Sequence, residues 1–277
     1  MLYNQTKFAV LVPYFGKLPW YFIHFINSCY FNNLIKFYLI TDNNNIGKLP
    51  LNVTKIYISI KDLNIIVSKK FNIHSNITGG YKFCDFKPAY GYIFYELIEE
   101  YEFWGQCDID IILGDLSSFL LSIDFKQYDY INVRHDFVTG FFSIFRNSEK
   151  MNTLFMRSKD YKTVFSSEKH YCFDECNNVH EQITQGKSIF DCDTEIESFM
   201  HVLKKSEAEG EIKTFFDFIC IEGTPGHIKY NKGTLTYKNK YEVILYHMIL
   251  LKKKNGSIPN WKKIPDTFRI SKDKIYR

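Results

Sequence analysis

No stretch of the 277-residue chain offers the roughly 18 consecutive apolar residues of a membrane span; Pro, Lys or Asn cuts every long apolar run. The opening MLYNQTKFAVLVPYF lacks the charged lead, apolar run and small-residue cleavage site of a secretory signal. A cytoplasmic, soluble protein with at most peripheral membrane contact is therefore expected. The seven cysteines are odd in number and include no pair of CxxC units, which argues against a disulfide framework and against a structural zinc site. Cys172 and Cys176 with His170 and His180 match no common zinc spacing either. The thiols read as small core residues in a reducing compartment. An excess of one charge is missing as well: the net charge is only +4, far from the balance of a dedicated nucleic-acid binder, so no nucleic-acid partner is expected.

What the chain does have is apolar substance, 45 % hydrophobic and 18 % aromatic, enough for a sizeable core. Lys7 to Pro13 reads as a buried first strand, Trp20 to Asn32 as a helix, and Ile35 to Thr41 and Thr54 to Ile60 as further strands. This alternation predicts a parallel sheet covered by helices. An amphipathic helix is expected over Asp85 to Tyr101, with Asp85 as its cap and Pro88 in its first turn. A strand interrupted by acids follows over Phe103 to Leu113, then a short helix from Leu116 to Ser122. Strands are expected at Tyr130 to Val133 and Gly140 to Arg146, and helices at Ser148 to Phe165 and Thr194 to Lys205. Periodicity fails from Ser166 to Asp193, where Cys, Asn, His, Asp and Glu gather around apolar anchors, the pattern of a functional loop. His227–Tyr230 and Thr234–Tyr237 suggest a hairpin, and Tyr241 to Lys252 is an apolar run holding His247.

The strongest chemical signal is Asp108-Ile109-Asp110, flanked by apolar residues at the end of a mid-chain strand. Residues two apart on a strand share a face. Both carboxylates would then face the crevice beyond the strand ends, where open α/β sheets bind ligands. Acids so close raise each other's pKa unless a cation lies between them, and Mg²⁺ or Mn²⁺ holding a diphosphate suits hard oxygen ligands. A bare acid-x-acid triplet also occurs in ordinary surface turns.

Several segments together carry a resemblance: Pro13-Tyr14-Phe15-Gly16, Tyr81 to Gly91 (YKFCDFKPAYG), Phe103 to Asp110 (FWGQCDID), Arg134-His135-Asp136 with Thr139-Gly140, and His170 to Glu175 (HYCFDE). Over roughly residues 7 to 180 the sequence resembles GT-A glycosyltransferases of bacterial polysaccharide-biosynthesis type. The resemblance implies a GT-A, Rossmann-like α/β fold with a mixed, mostly parallel sheet in one domain. The part before about residue 115 would bind the donor nucleotide and the rest the acceptor. It implies a hexosyltransferase-like enzyme, a UDP-sugar donor, and Mn²⁺ or Mg²⁺ on Asp110 and Asp108, with Asp108 also touching ribose or sugar. A late metal ligand is expected at His247, which could equally be a half-buried histidine. Val12, Tyr14, Phe15 and Asp42 would bracket base and ribose, and Lys87 would pair with phosphate; packing, turn and solvent roles are the plain alternatives.

An inverting enzyme also needs a carboxylate to accept the acceptor's proton, for which Glu175 is preferred and Asp174 stands close behind. The acceptor would be an oligosaccharide or a lipid-linked or protein-linked glycan. Lys252-Lys253-Lys254 and Trp261-Lys262-Lys263 could rest on anionic lipid, though a charge run is more often a solvated face. Phosphoryl transfer of the haloacid-dehalogenase type is disfavoured, because the opening strand ends Val12-Pro13-Tyr14 without an acid. The remaining alternative is a GT-A-like module that binds nucleotide-sugar without turnover. It is distinguished by whether Asp174-Glu175 reaches the donor site.

Overall fold

Strand β1 (Phe8–Pro13) is buried on both faces. Ala9 and Leu11 enter one apolar layer, while Phe8, Val10 and Val12 enter the other. That is the condition of a central strand in a sheet covered on both sides. The structure is a computed structural model that describes residues 8–254, 259, 261 and 264–277. Lys7 of the expected first strand, and Lys262 and Lys263 of the basic C-terminal run, lie outside the described residues.

Parallel to β1 run β2 (Lys36–Thr41) and, beyond it, β3 (Val53–Tyr57) on one side and β4 (Phe103–Cys107) on the other. The chain then leaves the sheet in β5 (Ile111–Leu113) and returns in β6 (Tyr130–Asn132) and β7 (Phe142–Arg146). With β8 (Thr214–Phe216) the order is β3-β2-β1-β4-β7-β6-β8, antiparallel only where β7 meets β4 and β6. The expected mixed, mostly parallel α/β sheet is present.

Helix α1 (Phe22–Phe31) lays Phe22, Phe25 and Cys29 on the layer that holds Val10 and Val12. Helix α2 (Ile60–Phe71) covers the other face through Leu63, Val67 and Phe71. It opens on a reciprocal cap, Asp62 N–H donating to Ser59 Oγ at 3.1 Å and Ser59 N–H to Asp62 Oδ2 at 3.2 Å. Among the described residues no helix is long and apolar enough to cross a membrane.

Beyond β8 come β9 (Cys220–Glu222), β10 (Ile228–Asn231), β11 (Thr234–Tyr237), β12 (Tyr241–Val243), β13 (Leu245–His247), β14 (Thr267–Ile270) and β15 (Ile275–Tyr276). β10 and β11 form the expected hairpin, and its Lys232-Gly233 turn has φ of 47° and 93°. Two positive φ values match the twist of the flanking strands. β5, β13 and β9 make a small sheet of their own, whose register sets His247 opposite both Ile111 and Glu222.

Three expectations need correction. The segment 103–113 is two strands in two sheets, and Asp108 to Asp110 form the turn between them. The long helix over Asp85–Tyr101 is instead a 3-10 turn (Cys84–Ala89) and two short helical turns, Tyr90–Ile93 and Tyr95–Ile98. Pro88 lacks the N–H that an α-helix needs in its interior. Asp85 caps no helix: it accepts from the backbone N–H of Tyr171 and Phe173 at 3.0 and 2.9 Å. Likewise Ser148–Phe165 divides into Glu149–Thr153, Leu154–Arg157 and Tyr161–Ser166 around an extended Ser158.

Candidate functional site

The strand order reverses between β1 and β4, since β2 and β3 lie on one side of β1 and β4 on the other. At such a reversal the loops leaving the carboxyl ends diverge and open a crevice. Tyr14 leaves β1 there, Asp42 leaves β2, and Asp108 leaves β4. The turn therefore puts the acid pair at the carboxyl end of the sheet, beside its reversal point.

Asp110 is buried, as is His247. Its Oδ2 lies 2.5 Å from Lys252 Nζ and 3.4 Å from His247 Nε2; its Oδ1 has no hydrogen-bond partner among the described residues. The pairing of β13 with β5 holds this arrangement, and Met248 N–H donates to the Asp110 carbonyl at 2.8 Å. His247 Nδ1 faces Glu222 Oε1 at 2.9 Å, and Glu222 is held in turn by Arg134 at 2.5 Å. Phe141 stacks on the imidazole at 4.2 Å. Burial alone would raise the Asp110 pKa, but His247 and Lys252 outweigh it and hold the carboxyl well below its ordinary value. Burial would likewise lower His247, yet the bonds to Asp110 and Glu222 push it up to about 9. Holding Nδ1 on Glu222 fixes the ring with Nε2 toward Asp110, and a carboxylate on one ring nitrogen is how a metal-binding imidazole is oriented.

Asp108 is partly exposed and pairs with Lys87 Nζ at 2.9 Å. Burial raises its pKa and Lys87 opposes that rise, while Asp110 adds to it. The same buried ammonium stands 3.6 Å from Asp174 Oδ2, so Asp108 and the 170–175 loop meet on one lysine. Burial disfavours the Lys87 charge, but Asp108 and Asp174 keep its pKa well above the usual value.

Asp174 Oδ1 is buried with no partner among the described residues. Burial, with Glu175 adding and Lys87 opposing, pushes that carboxyl up to about 7. Its neighbour is fully engaged. Glu175 accepts from Gly140 N–H at 2.6 Å and meets His180 Nε2 at 2.7 Å, and these with Lys87 overcome burial to hold it at about 2. Asp85 fastens the loop beneath them by its two backbone bonds and by Lys82 at 2.8 Å and His170 at 3.2 Å.

For a divalent cation the donor types fit, although the ligand atoms of Asp108, Asp110 and His247 do not all lie within 4.8 Å of one another. Asp108 and Asp110 offer hard oxygens, His247 an oriented imidazole, and the orphaned Asp110 oxygen is what a cation would satisfy. Lys87 and Lys252 lie against these acids, 2.9 Å from Asp108 and 2.5 Å from Asp110.

A family model matches residues 10–277, nearly the whole chain; it describes DUF6625, a family of unknown function. The chain belongs to the DUF6625 family. No curated protein matches it. Similar solved structures include the glycosyltransferase GlyE of Streptococcus pneumoniae TIGR4, at 11 % identity and TM-score 0.36, over 76 % of this chain and 45 % of that one. Mouse xyloside xylosyltransferase 1 in its apo form is similar at 7 % identity and TM-score 0.44, over 87 % and 97 %. The bifunctional glycosyltransferase WbbM is similar at 10 % identity and TM-score 0.37, over 62 % and 36 %. The chain thus spans under half the length of GlyE and of WbbM.

Of the residues expected at the site of this DUF6625 chain, Asp108, Lys87 and Asp174 form one contact group with Glu175 beside it, and Asp110 and His247 form a second with Glu222 and Lys252 added; the groups are near enough that Asp110 adds to the rise of the Asp108 pKa. Tyr14 is at the edge of the site, donating its hydroxyl to the Lys17 carbonyl at 3.0 Å, with burial and then Asp110 and Asp42 raising its pKa. Asp42 accepts from Gly16 N–H at 2.9 Å, so it shapes the turn after β1 while remaining at the crevice. Val12 is buried, with its side chain in the core. Phe15 packs edge-on against Phe83 at 5.9 Å. Lys252 is no solvated charge, since it reaches Asp110. Tyr21 was not anticipated; burial raises its hydroxyl pKa, and Asp110 and Asp108 are close enough to add to the rise.

Proposed function

We propose that this chain is a metal-dependent glycosyltransferase that moves a sugar from a nucleotide-sugar, a UDP-sugar, to a glycan acceptor. The observation that carries the reading is Asp110, buried at the sheet's reversal point with one oxygen unpartnered and His247 beside the other. One buried oxygen without a hydrogen-bond partner costs about 1–3 kcal/mol, which a cation bound there would offset. Bound by Asp108, Asp110 and His247, Mn²⁺ or Mg²⁺ would supply Lewis-acid charge to the departing diphosphate.

Lys87 and Lys252 hold the two acids charged and oriented, and turn toward donor phosphate when it arrives. Asp174, rather than Glu175, accepts the proton of the attacking hydroxyl, because Glu175 has committed its oxygens to Gly140 and His180 while Asp174 keeps one free. A base on the acceptor side makes the transfer inverting. Glu175 and Asp85 position the loop that carries that base. The contact of Asp174 and Asp108 with one ammonium favours turnover over a binding-only module. The UDP preference comes from the sequence resemblance alone.

Release of UDP from a panel of UDP-sugars, with Mn²⁺ and mixed glycan acceptors, tests the proposal. Turnover should appear with at least one donor and fall by at least about 100-fold in Asp174→Asn, the loss of a general base. Donor binding without turnover in the wild type would leave only the binding module.

A further inference from the structure

Beyond the acid pair, the 172–180 loop gathers a second set of metal-ligating atoms. Cys172 Sγ, Glu175 Oε2 and His180 Nε2 lie 3.2, 2.7 and 4.0 Å apart (Cys172–Glu175, Glu175–His180 and Cys172–His180). Ligand atoms around a tetrahedral Zn²⁺, with bonds of about 2.0–2.3 Å, stand roughly 3.4–3.6 Å from one another. Shifts of about half an ångström would admit the ion. The sequence spacing disfavoured zinc, but spacing rules describe ligands on regular turns, and this loop is irregular.

We propose that Cys172, Glu175 and His180 form a binding site for a thiophilic divalent cation of the Zn²⁺ type, which clips the loop in place.

Three features of the loop make this more than a chance cluster. Cys172 is held at φ 55°, a left-handed conformation that a non-glycine residue adopts at a cost of about 1–3 kcal/mol, and it is this conformation from which its sulfur meets the Glu175 carboxylate. The Glu175 carboxylate is already oriented from behind by Gly140 N–H at 2.6 Å, leaving Oε2 toward sulfur and imidazole. Phe137 packs edge-on against the His180 ring at 4.8 Å and fixes its plane. Oriented ligands of this kind are what a metal site requires from its surroundings.

A neighbouring set, His170, Cys172 and Asp174, shares the sulfur. There His170 stands 3.2 Å from Asp85 and the Lys87 ammonium 3.6 Å from Asp174, whereas Cys172 and His180 both face Glu175 Oε2 directly. Three protein ligands also leave a coordination position for water. Binding displaces the Cys172 thiol proton and any proton on His180 Nε2, so affinity rises with pH. The site stands without the sugar-transfer reading, although the clipped loop is the one that carries Asp174.

The test uses the full chain, stripped with a chelator and titrated with Co²⁺. A sulfur-to-cobalt charge-transfer band should grow in, with tetrahedral visible bands, and Zn²⁺ should bleach both. An oxygen-and-imidazole site such as the acid pair cannot give the sulfur band, so Asp110→Ala should keep it and the two proposals fail separately. Cys176→Ser, altering the other buried thiol of the loop, should also keep it. Cys172→Ser should abolish it, and His180→Ala should weaken Co²⁺ binding at least about tenfold. Should Cys172→Ser not fold, the wild type decides: Zn²⁺ should raise its melting temperature at pH 7.5 and not at pH 5, in Asp110→Ala as well. A folded wild type without the sulfur band, or an undiminished band in Cys172→Ser, overturns the proposal.

Discussion

Gly140 is where the site has least room to spare. A Cβ there would lie 2.4 Å from Asp174 Oδ2 and 2.9 Å from Glu175 Oε1. The Gly140 backbone is not left-handed, so Gly140→Ala adds no strain of its own, and the whole perturbation falls on the two carboxylates. Asp174 has to retreat by roughly 1 Å to restore ordinary contact. It cannot do so freely, because it is buried and faces Lys87. Misplacing a catalytic group by that much costs on the order of 100-fold in rate. Weakening the Gly140–Glu175 bond, made to a charged group, costs about 1.5–3 kcal/mol of stability. The variant should therefore fold with a lowered melting temperature, bind UDP with Mn²⁺ within about threefold of wild type, and release UDP from donor about 100 times more slowly. UDP release, calorimetry and a thermal melt read the three quantities. Wild-type turnover in a folded Gly140→Ala would refute the placing of Asp174 at the reacting centre.

Gly91→Ala should do the reverse: its Cβ would meet the Trp104 ring at 2.5 Å. That ring is fixed by stacking on Phe145 at 4.1 Å and by its bond to Asn152 at 2.7 Å, so overpacking should cost about 1–3 kcal/mol in denaturant melts and leave UDP affinity unchanged. Lys87→Met removes the cation shared by Asp108 and Asp174 and should destabilise the metal-free protein by about 3 kcal/mol. Mn²⁺ should then raise the melting temperature more than it does in wild type, and an equal rise would contradict the shared-site geometry. His24 is buried among Trp20, Trp261 and Phe268 with neither ring nitrogen bonded among the described residues, and burial pushes it down to about 4 from 6.5. Its neutral form is the one the fold accepts, so stability is complete above pH 6.5 and declines by up to about 3 kcal/mol as pH falls toward 4. His24→Phe should flatten that slope, and parallel pH profiles for the two proteins would contradict the assignment.

The sheet was legible because β1 and β2 are short apolar runs closed by Pro13 and Asp42, and burial on both faces leaves such runs no other place. The acid pair was legible for the same reason, since charges inside an apolar stretch demand an explanation. Helix α2 was not anticipated, because its apolar stripe of Leu63, Val67 and Phe71 is narrow and the Ser59–Asp62 cap was its clearest signal. The 85–101 segment has helical periodicity, but Pro88 and the demand of the 171–173 backbone for Asp85 override it. Glu222 and Lys252 could not be placed at the site from sequence, since only the β5-β13-β9 register and the turn after β13 bring them to His247 and Asp110. Nor does the sequence show that Gly140 N–H and His180 claim the Glu175 carboxylate while Asp174 keeps one oxygen without a partner among the described residues.

Calorimetry of UDP binding with Mn²⁺, with EDTA and in Asp110→Ala decides whether Asp110 anchors a metal that holds a nucleoside diphosphate. Binding with Mn²⁺ should be abolished by EDTA and weakened in Asp110→Ala by at least about tenfold, roughly 1.4 kcal/mol. Binding indifferent to both changes, in a folded variant, would contradict that anchoring.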